Sequence, residues 1–210
     1  LAEMQCRKYE MSKSHLIKAI KVYPTFEGYF YLGQLLAAMS SYDKSAKAYQ
    51  QSLKYDKNNV EVLKRLTDVA LCAHNYELCL AVLKELDKYE PNMIGLEQRR
   101  GMACMLSGEN QKAIVFMKKE LHVPEEEYYD WYEMAPPVGR ASLMAHIAVC
   151  SMRMGNINMA IKYFEKCISE NKSYPRMETV YARAAQLREK LGDREKAIDH
   201  WNGYLSLGRQ

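Results

Sequence analysis

Five histidines and six cysteines are the side chains of this sequence best suited to metal or covalent chemistry. A zinc site gathers three or four such ligands, commonly in pairs a few residues apart, and a thiol nucleophile needs a base beside it. His15, His74, His122, His146 and His200 lie far from one another and form no ligand pair. Cys6, Cys72, Cys79, Cys104, Cys150 and Cys167 show neither a two-residue spacing nor a nucleophile signature. Several of these cysteines fall where small residues pack, so reduced thiols in a cytoplasmic compartment are expected. The glycines are scattered singly and build no phosphate loop. Neither enzymatic activity, nor a metal, nor a cofactor is expected.

The elements that carry these residues follow a period. Tyr29, Leu32, Gly33, Leu36, Tyr42, Ser45, Tyr49, Ser52 and Tyr55 recur at helical spacing. Leu63, Leu66, Ala70, Tyr76, Cys79, Leu83, Leu86 and Tyr89 answer them 34 residues on, and Pro91 closes the second copy. Gly101, Gly108 and Ala113 mark a third copy, Ile147, Gly155, Ala160 and Phe164 a fourth, and Tyr181, Gly192, Ala197 and Trp201 a fifth. Tyr9, Ser12, Leu16, Ala19, Val22 and Pro24 match the second half of a further unit. The segment order read from these marks is an incomplete first repeat (1–25), repeats at 26–59 and 60–93, and an atypical repeat at 94–122. An insertion at 123–140 then precedes repeats at 141–175 and 176–210.

This pattern resembles the tetratricopeptide repeat, whose unit is a 34-residue helix-turn-helix. The resemblance implies an all-α fold, a right-handed α-solenoid of helical hairpins with one insertion between repeats. The residue classes support it physically. Small residues at Gly33, Ala113, Ala160 and Ala197 let paired helices approach, and Tyr49, Phe164 and Trp201 fill space between hairpins. Gly108, Gly155 and Gly192 are placed to take a left-handed turn between the two helices.

Two segments depart from the pattern. Glu97, Arg100 and Glu120 occupy positions that other copies give to packing residues, and a mutual salt bridge is expected to satisfy them. The insertion VPEEEYYDWYEMAPPVGR crowds Tyr128, Tyr129, Trp131 and Tyr132 among acids, and Pro136 and Pro137 stop any helix there. Loops of this length are usually functional or disordered, and Tyr and Trp give large contact area at low entropic cost, so this cluster is read as a partner-docking element.

The resemblance implies that the first helix of each hairpin lines a concave groove that receives a peptide or a partner helix. The positions that match the lining are Phe30 and Gln34, then Lys64, Asp68 and Leu71, then Gln98, Met102 and Met105. Val149, Met152, Arg153 and Gln186 continue the row. Adaptable Met side chains suit an apolar or amphipathic segment. Some members of the family clamp a terminal carboxylate with Lys and Asn. Here Lys64 and Arg99 are placed for that role, but Asp68 stands where the Asn belongs and would repel the ligand.

Net charge is +4, and it hides an asymmetry: six of the 26 acids fall within residues 120–133, leaving 20 against 30 basic residues elsewhere. A basic face for an acidic partner is one reading and ordinary surface charge the other. No run approaches the roughly 20 apolar residues of a membrane span, and the opening LAEMQCRKYE has no signal-peptide pattern. It reads as helix interior, as expected for a piece of a longer protein. The function expected is that of a scaffold or adaptor that holds a peptide or amphipathic segment of a protein partner. Self-assembly into homo-oligomers through an open seam is second. Nucleic-acid binding is third and disfavoured, because the lining lacks a column of base-reading polar groups.

Overall fold

The computed structural model describes residues 2–124, 127, 139–170 and 174–208, with side chains from Lys8 onward. Among them the secondary structure is entirely helical: α1 (Ala2–Val22), α2 (Phe26–Ala38), α3 (Tyr42–Ser52), α4 (Val60–Cys72), α5 (Tyr76–Tyr89) and α6 (Leu96–Leu106). These are followed by α7 (Asn110–Glu120), α8 (Arg140–Arg153), α9 (Ile157–Glu170), α10 (Met177–Lys190) and α11 (Arg194–Leu207). Two compact units divide the chain, the first carrying α1–α5 and the second α6–α11. In the first, α1 packs on α2, α2 pairs with α3, α3 meets α4, and α4 pairs with α5. In the second, the pairs α6/α7, α8/α9 and α10/α11 stack through α7 on α8 and α9 on α10. Each unit is therefore a row of antiparallel hairpins. No described helix is long and apolar enough to cross a membrane.

Local chemistry places the helix ends. Thr25, Asn59, Asn75 and Asp193 each accept, through a side-chain oxygen, the backbone N–H three residues on, which satisfies one orphan donor of the helix that follows. Every hairpin turns through a residue of positive φ: Ser40 (54°), His74 (56°), Gly108 (89°), Gly155 (76°) and Gly192 (77°). Behind each, the next residue donates its N–H to a carbonyl five residues back, as from Ser41 to Leu36 (2.8 Å), Asn75 to Ala70 (2.9 Å) and Glu109 to Cys104 (2.7 Å). That is the Schellman closure, and it sets the second helix back along the first. The left-handed turn expected at three glycines thus extends to a serine and a histidine at the same place in the period.

Within hairpins the helices touch where side chains vanish. A Cβ at Gly33 would sit 2.6 Å from Cε1 of Tyr49, so the Tyr49 ring lies directly on the α2 backbone. Ser45 fixes the same contact by donating to the Gly33 carbonyl at 2.7 Å. In the second unit, Ala160, Ile161, Phe164 and Cys167 of α9 are buried with Met177, Val180, Ala184 and Leu187 of α10 in one cluster. Burying such apolar area drives the stacking, at about 25 cal/mol per Å² removed from water.

Candidate functional site

The faces of α2 and α4 place the expected lining residues of the first unit. Phe30 stacks on Phe26 at 5.8 Å between centroids with an interplanar angle of 10°, and meets Tyr31 edge-on at 5.6 Å. The Arg65 guanidinium sits 5.6 Å above the Phe30 ring and its Nε donates to Glu61 at 2.7 Å. This arrangement is a cation-π contact held in place by an ion pair. Tyr49 closes the bottom of the cluster, and burial pushes its hydroxyl pKa up to about 12 despite the lowering influence of Arg65. Phe30, Gln34 and Lys64 all reach solvent in part, whereas Asp68 and Leu71 are buried. Phe30 comes together with Phe26, Tyr31 and Arg65, a set that the lining positions alone did not include.

In the second unit α6 and α8 put several expected lining residues inside. Gln98 is fully buried and braces the two helices: its Nε2 donates to Ser142 Oγ at 3.3 Å, and its Oε1 accepts from Gly139 N at 3.4 Å. Met102 and Met105 are buried as well, so the methionines expected to face a ligand belong to the packed interior. Arg153, exposed at the end of α8, donates from Nη1 to the Met105 carbonyl at 3.0 Å. Val149 and Met152 are half-buried against the α8–α10 cluster, and Gln186 of α10 is exposed. Ser142 Oγ also lies 3.5 Å from His146 Nδ1, and burial together with the nearby Arg176 charge holds that imidazole neutral, its pKa pushed down to about 4.

In the charged group of the third repeat, part of the expected pairing is present. Arg100 pairs with Glu97, which also takes Lys119 at 3.3 Å. Glu120 turns its carboxylate to the start of α6, accepting from Gly95 N and from Gln98 N, the latter at 2.6 Å. Helix α6 needs this partner, because its N-cap is Gly95, which has no side chain to cap with. Burial raises the Glu120 pKa above the usual carboxylate value, and the two N–H donors and the Arg99 charge only partly offset it.

Tyr128, Tyr129, Trp131 and Tyr132, expected to dock a partner, lie outside the described residues. At the far end of that insertion, Arg140 donates to the Leu121 carbonyl at 2.9 Å and pairs with Glu170 at 2.5 Å. Among the described residues no three metal-ligating side chains come together. Cys72, Cys79, Cys104, Cys150 and Cys167 form no disulfide, and burial raises the thiol pKa of Cys72, Cys104 and Cys150, the last to about 11. A thiol so protonated is a poor nucleophile.

Residues 141–174 match the family model of the tetratricopeptide repeat. No curated protein matches the sequence. Among solved structures, a crystal structure of MamA aligns with a TM-score of 0.67 at 21% identity, covering 83% of this chain and 93% of its own. The MamA chain from Desulfovibrio magneticus RS-1 aligns at 0.70 with 13% identity, covering 88% and 95%. YrrB, a tetratricopeptide-repeat protein described as having an unusual peptide-binding site, aligns at 0.60 with 13% identity and 91% of each chain. At these identities the likeness is one of fold.

Proposed function

For a chain with the tetratricopeptide-repeat fold, we propose a role as a non-enzymatic adaptor that binds a peptide or amphipathic helix of a protein partner along its first-helix faces. The observation that carries the reading is the Phe26–Phe30 ring stack beneath Arg65, which is open to solvent in part and already held in place. Pre-organised aromatic and guanidinium groups lose little entropy on binding, which is why such side chains dominate protein interfaces. Gln34, one turn after Phe30 on α2, and Lys64, next to Arg65 on α4, are half-buried polar positions for contacts that would fix register. In the second unit, Val149, Met152, Arg153 and Gln186 are the lining residues that still reach solvent, and they supply a second stretch of the same kind. The peptide-binding site named for YrrB supports the same use of the fold.

Panning a displayed peptide library on the protein, then measuring selected peptides by fluorescence anisotropy, tests the reading. Phe30→Ala and Gln34→Arg should each weaken binding about tenfold, near 1.4 kcal/mol, while helix content stays unchanged. Peptides that bind both variants as well as the parent would place the site elsewhere and remove the proposal.

A further inference from the structure

The second helices of the hairpins differ in how they spread charge, and α7 and α9 stand apart. Along α3, α5 and α11 the exposed charges mix signs: Asp43 with Lys44 and Lys47, Glu77 with Lys84 and Lys88, and Glu195 and Asp199 with Arg194 and Lys196. On α7 and α9 they are Lys112, Lys118, Lys119, Lys162 and Lys166, with one acid, Glu170, at the last residue. The acids nearby are already committed. Glu170 pairs with Arg140 and Glu165 with Arg188, each at 2.5 Å, while Glu120 faces the backbone of α6. Glu109 takes Lys112, and Glu97 takes Lys119. Lys118, Lys162 and Lys166 form no ion pair with any described residue.

Two of these cations meet on one ring. Lys118 Nζ of α7 lies 5.8 Å from the Tyr163 centroid and Lys166 Nζ of α9 lies 5.6 Å from it, which joins the two helices into one surface. Lys119 Nζ stands 5.2 Å from the centroid of Phe116. The rings hold the ammonium groups in place, but they gather like charges with no carboxylate between them, a repulsion that a bound anion relieves. Val115, 50% exposed, adds an apolar contact one turn before Lys118 and Lys119.

We propose that this face of α7 and α9 binds an acidic segment of another protein, with carboxylates on Lys118, Lys162 and Lys166 and an apolar side chain on Val115. The chemistry separates this occupant from other anions. Bases of a nucleic acid stack on open rings and phosphates favour the fork of Arg, whereas here Tyr163 and Phe116 already carry lysines and neither helix exposes an arginine. An anionic bilayer is held firmly when several apolar side chains enter it, and on these two helices Val115 is the one large apolar side chain exposed. The excess of basic residues outside 120–133 is thus concentrated on second helices, so the inference does not rest on the first-helix groove.

The probe is a fluorescein-labelled oligoglutamate peptide with one leucine at its centre, and the control has glutamine in place of every glutamate. Saturable anisotropy that weakens as salt rises is expected for the probe and not for the control. Lys118→Glu with Lys166→Glu should weaken binding at least about tenfold, and the milder Lys118→Gln with Lys166→Gln should act in the same direction, both with helix content unchanged. Lys44→Glu with Lys47→Glu on α3 changes net charge equally and should leave affinity within about twofold, as should Gln34→Arg in the groove. Exchanging the leucine of the probe for glycine should weaken binding to the parent but not to Val115→Ser. Absence of saturable binding, or an equal loss in the α3 pair, overturns the proposal. So does tighter binding of an oligouridine RNA or of phosphatidylserine vesicles that is lost with Lys118 and Lys166. A gain of about tenfold or more in Glu125→Gln/Glu126→Gln/Glu127→Gln also overturns it, since the acids of the chain itself would then fill the face. A scattering mass that falls on dilution and becomes monomeric in Lys118→Glu/Lys166→Glu does so too, because the face would then serve a second copy.

Discussion

Removing the Glu120 side chain tests whether a residue at the end of one helix caps the start of its partner. In Glu120→Ala the N–H groups of Gly95 and Gln98 lose their acceptor in a buried place that water does not reach. An unsatisfied buried donor costs about 1–3 kcal/mol, and a lost helix cap typically about 1 kcal/mol. Relief from burying a charge offsets part of this, so a net loss of about 2–4 kcal/mol is expected for the second unit. Glu120→Gln keeps one oxygen for one of the two donors and should cost about half as much. The pH dependence carries the sign. Because burial raises the folded-state pKa of Glu120, its contribution to stability is fully present below the unfolded value and is lost as pH rises through the folded value. The stability gap between parent and Glu120→Gln should therefore widen as pH falls from neutral towards the carboxylate range. Urea melts followed by circular dichroism give the gap, and amide exchange at Gly95 and Gln98 gives the local effect. A change within about 0.5 kcal/mol for Glu120→Ala would refute the capping argument, and a gap that widens as pH rises would refute the raised carboxyl pKa.

Three further substitutions follow from the geometry of the hairpins. At Gly155, φ is 76° and an added Cβ meets nothing within 4 Å, so Gly155→Ala isolates the left-handed backbone penalty of about 1–2 kcal/mol. Ser40→Gly, at the equivalent turn with φ 54°, should stabilise by about 0.5–1 kcal/mol, and a thermal melt that moves the two variants in the same direction would contradict the shared-turn reading. Gly33→Ala gains helix propensity of about 1 kcal/mol but drives a Cβ to 2.6 Å from the buried Tyr49 ring, and the clash should win by about 1–2 kcal/mol. The loss should shrink in a Tyr49→Leu background, and an equal loss there would mean that the ring is not the obstacle.

The hairpins were legible because their signal is local and repeated. Small residues at Gly33, Ala113 and Ala160 and turn glycines at Gly108 and Gly155 each report a contact within a single hairpin. Ser40 and His74 escaped notice by residue type, although the 34-residue period places them in line with Gly108. The lining was less legible. Helical register puts Gln98, Met102 and Met105 on the same face as residues that do reach solvent, but register says nothing about how closely the next helix approaches that face. Gln98 is sealed by its bonds to Ser142 and Gly139, residues more than 40 positions away. The backbone role of Glu120 was hidden for a related reason. Its charge points to an ion pair, whereas the cap it supplies shows only in a missing one: Gly95 precedes Leu96 where a helix start usually has Ser, Thr, Asp or Asn.

That contrast separates two kinds of information in a repeat chain. Where one copy differs from its neighbours in residue type, as at Glu120, the sequence flags the site but not the partner, since an acid can satisfy a cation or a helix start equally well. Where a copy keeps the residue type but differs in exposure, as at Ile198, the sequence is silent. The position looks like any other seam residue until its exposure is compared with Ala46, Ile114 and Ile161. Repetition within the structure then supplies the control that a single surface lacks. An exposed isoleucine alone is unremarkable, because folded surfaces are more than half apolar, and Leu80 of α5, half-buried at the same place in the period, shows that coverage there is graded rather than fixed by register.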